Sequence, residues 1–139
     1  MSEKRIEELQ ALLAGSNRVG QIRAALDLVN VGDQQAENIL ISALGNSNEH
    51  SRACAAMALG KMGSVRALPR LEKLLQGNTF AHFFRERSPE VRQTIAFVLS
   101  QIGQPSSVAA LKYAAQNDES EAVRIEAKAA LERYTITSK

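Results

Sequence analysis

The sequence predicts an all-α fold, a short right-handed solenoid built from four helical hairpins, or about eight helices in one domain. Three observations carry this. Four segments superimpose without gaps, each with helical apolar spacing. A second helical segment precedes each of them. No stretch shows the period-two alternation of a half-buried strand.

The elements follow in order. "RIEELQALL" (5–13) and "GQIRAALDLVNVG" (20–32) form the first pair, and "AENILISAL" (36–44) and "SRACAAMALGKMG" (51–63) the second. "ALPRLEKLL" (67–75) and "VRQTIAFVLSQIG" (91–103) form the third, and "SVAALKYAA" (107–115) and "VRIEAKAALERYT" (123–135) the fourth. The first helices align on Leu9, Leu40, Leu71 and Leu111, and the second helices on Leu28, Leu59, Leu99 and Leu131. In the third copy Val91, Ile95, Val98, Leu99 and Ile102 make one apolar stripe. Ser88 and Pro89 suit N-cap and N1, and Pro69 sits in a first turn, where a missing N–H costs little. Gly32, Gly63 and Gly103 suit the left-handed position after a helix, with Thr135 in the last copy. The expected units are about 3–33, 34–64, 65–104 and 105–136. One hairpin cannot bury its own apolar face, whereas stacked hairpins share a core.

One unit is longer than the rest. Gly32 to Gly63 is 31 residues, but Gly63 to Gly103 is 40. The surplus is an insertion at 77–88, between the two helices of the third pair. It contains "TFAHFFRER" (79–87), with three of the four Phe in the chain and one of its two His. Phe80, Phe83 and Phe84 have i, i+3, i+4 spacing, which would share one face of a short helix. Arg85 and Arg87 would flank that face.

Composition narrows the function. The net charge of +2 argues against nucleic acid as the partner. Residues 52–92 carry eight basic and three acidic side chains, so an acidic protein surface is the expected partner of this basic centre. A single Cys fits a reducing compartment, and the absence of a secretory leader or a long apolar run points to the cytoplasm. Neither metal-ligand spacing nor a phosphate loop nor a nucleophile signature occurs, so no catalytic or metal residue is assigned and enzymatic activity is not predicted. Cys54, with His50 four residues before it, is read as a small filler of an alanine-rich helix. Asp118 and Glu121 are read as a capping box.

The pattern "VR…A…AL…IG" followed by "A…L…L", best seen in "RACAAMALGKMGSVRALPRLEKLL" (52–75), resembles the HEAT-like repeat family in its short form, known from phycobilin lyase subunits. The resemblance implies a scaffold that binds other proteins. It implies as an alternative a bilin- or phycobiliprotein-handling protein, with bilin as ligand or a photosynthetic assembly component as partner. It also implies that the column Arg52, Arg92 and Arg124, with Gln21 in the first copy, bonds turn carbonyls or an acidic residue of an adjacent repeat.

The leading expectation is a non-enzymatic protein-interaction scaffold or assembly factor. Phe80, His82, Phe83, Phe84, Arg85 and Arg87 are the candidate partner-binding residues, since aromatics and Arg dominate interface energetics. Arg66 and Arg70 are a candidate basic surface. Leu26, Met57 and Phe97 are a candidate groove along the second helices.

Overall fold

The computed structural model describes residues 1–77 and 84–137, except the side chains of 135–137. Among these residues the chain forms eight α-helices: α1 (Glu3–Ala14), α2 (Arg18–Val31), α3 (Gln34–Ala43), α4 (Glu49–Met62), α5 (Leu68–Gln76), α6 (Pro89–Ile102), α7 (Val108–Asn117) and α8 (Glu121–Thr137). Short 3-10 turns at Val65–Ala67 and Pro105–Ser107 lead into α5 and α7. The chain divides into two compact units, Met1–Met62 and Gly63–Lys139.

In the first unit α1 packs on α2, α3 on α4, and α2 on α4. Its core is Leu9, Leu13, Leu28, Leu40, Leu44 and Leu59, closed by buried Ala24, Ala36 and Ala55. In the second unit α5 packs on α6 and α7, and α8 lies against both α6 and α7. Its core is Leu71, Leu75, Val91, Ile95, Leu99 and Leu111, with Val123, Ala127 and Ala130 from α8. The aligned leucines are therefore core residues in both units, apart from the half-buried Leu131. Small Ala residues between them let the helices approach closely.

The helix ends follow local chemistry. Ser88 Oγ accepts the Val91 N–H at 3.2 Å and caps α6, with Pro89 just inside it. Gly103 has φ 74°, and its N–H donates to the Leu99 carbonyl. That left-handed backbone is cheap for Gly and costly for a residue with a Cβ. At α8 the capping box is corrected: Ser120 Oγ accepts the Val123 N–H, so the cap is Ser120. The Asp118 carboxylate accepts instead from Arg92 and from the Ser120 N–H.

Candidate functional site

The aligned Arg column shares one contact in all four copies. Each member reaches back six residues to a carbonyl of its own hairpin turn: Gln21 to Gly15, Arg52 to Asn46, Arg92 to Glu86 and Arg124 to Asp118. Arg52 and Arg92 also donate to the carbonyl five residues back, Ser47 and Arg87. Gln21 and Arg92 also bridge to the next turn. Gln21 Nε2 donates to Asn48 Oδ1 at 3.0 Å, and Arg92 donates through Nε and Nη2 to Asp118 at 2.9 and 3.0 Å. The Arg92 and Asp118 side chains are only 4% and 1% exposed. These groups satisfy turn carbonyls that would otherwise be buried unpaired, which is a structural duty.

The insertion's exit is anchored by the same network. The Glu86 N–H donates to the Leu74 carbonyl at 2.7 Å, and Glu86 Oε1 accepts the Ser88 N–H at 3.0 Å. Arg85 corrects its expected role. Both its Nη atoms donate to the Glu119 carboxylate at 2.7 Å, and it lies 3.9 Å from Asp118. The fork raises the Arg85 pKa chiefly through the Glu119 hydrogen bonds. A guanidinium held this way clamps the loop to the turn before α8 and is not an arm extended toward a partner.

Phe84 behaves differently. It is 68% exposed, yet its backbone has φ +70°, the only positive φ on a non-glycine among the described residues. It therefore stands in a turn and not in a helix, which corrects the expected helical face at this position. Lys73 Nζ lies 5.5 Å from its ring centroid, within cation–π range. Arg87 and Arg70 are exposed in the same unit, as is Arg66. Phe80, His82 and Phe83 lie outside the described residues.

The second candidate, the row along the second helices, is brought together in part. Leu26 and Met57 face a shared groove on the first unit, between α2 and α4, with a volume of about 220 Å³. Ile22 and Val29 extend its α2 wall, and Cys54 and Lys61 its α4 wall. Sequence reasoning missed these four, although Ile22, Leu26 and Val29 already show i, i+4, i+7 spacing. Phe97 belongs to the second unit. It is half-buried beneath Arg133, whose guanidinium is 5.2 Å from the ring and is held by Ser100 and Glu126. Burial pushes the Cys54 thiol up, against a smaller opposing pull from Arg18. A thiol so placed stays protonated, which suits a groove wall and not a nucleophile.

Among the described residues no three His, Cys, Asp or Glu side chains come together as a metal site. No helix of the described chain is long and apolar enough to cross a membrane.

Comparison with known proteins now bears on this architecture. The family description "HEAT repeats" matches residues 6–82 and 78–137. Among solved structures, human deoxyhypusine hydroxylase in complex with glycerol is similar, at 27% identity and a TM-score of 0.75. The match covers 96% of this chain and 45% of that chain, so this chain spans less than half of its neighbour's length. No curated protein sequence matches. Paired helices, the turn-bonding Arg column and a family match over most of the residues agree: this chain is an all-α solenoid that belongs to the HEAT-repeat family.

Proposed function

We propose that this chain is a non-enzymatic interaction scaffold. It binds a protein partner through an edge formed by Phe84, Arg87, the Lys73 ammonium over the Phe84 ring, and Arg70, one turn before Lys73 on α5. The observation that carries this is Phe84 itself. A residue held in a left-handed backbone conformation is costly, and such strain persists where the surroundings enforce it and clusters at working sites. Here the enforcing contacts are the Arg85–Glu119 fork and the Glu86 backbone and side-chain bonds. They tie down the residues that follow Phe84, whose ring is 68% exposed. An aromatic anchor pre-positioned beside cations fits an acidic protein surface, because little ordering entropy remains to be lost on binding.

The activity in the name of the similar human enzyme is not carried to this chain, which spans 45% of it. A phycobiliprotein would be the coloured form of the same partner class.

The test is affinity capture from source-organism lysate, with wild type compared with the Phe80/Phe83/Phe84→Ala variant after both are shown folded by circular dichroism. Bound material is identified by mass spectrometry and visible absorption. Loss of a partner on the folded variant supports the edge as the binding site. Equal retention on both baits overturns it. Colour in the captured fraction selects the phycobiliprotein reading.

A further inference from the structure

The first unit presents a surface that the Phe84 edge does not use. Val19, Ile22 and Leu26 of α2 are exposed at 69%, 48% and 46%, and Val29 continues the row. Their spacings of three, four and three residues are those of a coiled-coil seam. The opposing wall carries Met57, itself 37% exposed, one turn from Cys54 and one turn from Lys61. The apolar lining runs from Ile22 to Val29 on α2 and from Ala53 to Lys61 on α4, about 11 to 12 Å at 1.5 Å per residue, the length of a two-turn helix.

Charge selects the occupant. Among the described residues, Lys61 is the only ionisable side chain besides the Cys54 thiol that lines the trough, and no carboxylate lines it. Arg18, the first residue of α2, is close enough to Cys54 to act on its thiol electrostatically. The nearest acid on α2, Asp27, is taken by Arg5 of α1 at 2.7 Å. The trough therefore has a cation toward each end of an apolar floor.

We infer that the α2–α4 trough is a docking site for an amphipathic helix of a partner protein. That helix presents an apolar stripe at i, i+3, i+7 spacing with acidic residues at both ends. Its apolar residues would sit on Ile22, Leu26, Val29 and Met57, in the helix-in-groove mode. Its carboxylates would meet Lys61 at one end and Arg18 at the other. This inference is independent of the Phe84 edge, and neither test decides the other.

The experiment uses the full chain and two fluorescein-labelled synthetic helical peptides with the same leucine stripe. One has glutamates at both ends, and the other has lysines there. Fluorescence anisotropy should give at least tenfold tighter binding for the acidic peptide. Leu26→Asp, at an exposed position that leaves the core intact, should weaken it tenfold or more. Lys61→Glu should erase or invert the preference between the peptides. The acidic peptide should also slow Cys54 alkylation, because the thiol lines the trough. Equal or tighter binding of the lysine peptide, no binding of either peptide, or unchanged affinity in Leu26→Asp would overturn the inference. Sedimentation showing a self-dimer that Leu26→Asp dissociates would assign the trough to a second copy and overturn it as well.

Discussion

Removing Arg92 tests the repeat logic most severely. Its guanidinium makes four hydrogen bonds of 2.9–3.1 Å, two to the Asp118 carboxylate and two to the Glu86 and Arg87 carbonyls. Arg92→Ala leaves a carboxylate that is 1% exposed without its main counterion, a loss of roughly 3–5 kcal/mol for a broken buried pair. Asp118 keeps the Ser120 N–H at 2.9 Å and the Arg85 guanidinium at 3.9 Å, which places the expected loss at the lower end, about 3 kcal/mol. The assay is urea unfolding followed by circular dichroism. With a slope of about 2 kcal/mol per molar urea, the midpoint should fall by about 1.5 M. Arg92→Gln, which mimics the natural Gln21, should fall between the two. A loss under about 1 kcal/mol for Arg92→Ala would show that the pair does not hold the turns, and the reasoning fails.

Gly103→Ala should cost about 1 kcal/mol in the same assay, because φ 74° is left-handed and the space around the new Cβ is ordinary. Ser88→Ala should cost about 1 kcal/mol through loss of the α6 cap, read as a lower thermal midpoint. The rate–pH profile of Cys54 alkylation should inflect above that of an exposed thiol, since burial raises its pKa. By linkage, the folded state then holds the thiol proton more tightly than the unfolded state. This contribution lowers stability as pH rises past the unfolded thiol's pKa, and stability below that pKa is unaffected. A profile identical to that of a small-molecule thiol would contradict the burial of Cys54.

The fold was legible because its determinants are local and periodic. Leu9, Leu40, Leu71 and Leu111 recur at one register, and Gly32, Gly63 and Gly103 end helices through a left-handed backbone that their residue type announces. The duty of the Arg column was legible as a class of contact, and its six-residue reach is the same in every copy. The site was legible only in outline. Arg85 pairs with Glu119, 34 residues away, and no spacing rule connects them. Phe84 adopts φ +70° although nothing in its residue type asks for it. Phe97 was grouped with Leu26 and Met57 by alignment, but a helix later in the chain supplies Arg133 to cover it. Asp118 looked like a cap because it stands three residues before a Glu. Its carboxylate instead accepts from Arg92 and from the Ser120 N–H, and Ser120 Oγ takes the capping position of α8.

The measurement that tests the central claim most directly is the urea stability of Phe84→Gly. If Phe84 is held in place for a partner, the fold does not need its ring. Glycine relieves roughly 1–2 kcal/mol of left-handed strain. It gives up about 0.5–1 kcal/mol of exposed cation–π attraction to Lys73 and a similar amount of backbone entropy. The stability should therefore stay within about 1 kcal/mol of wild type. A loss of about 3 kcal/mol or more, the size expected for truncating a buried Phe, would make Phe84 part of the fold's own packing and contradict the account.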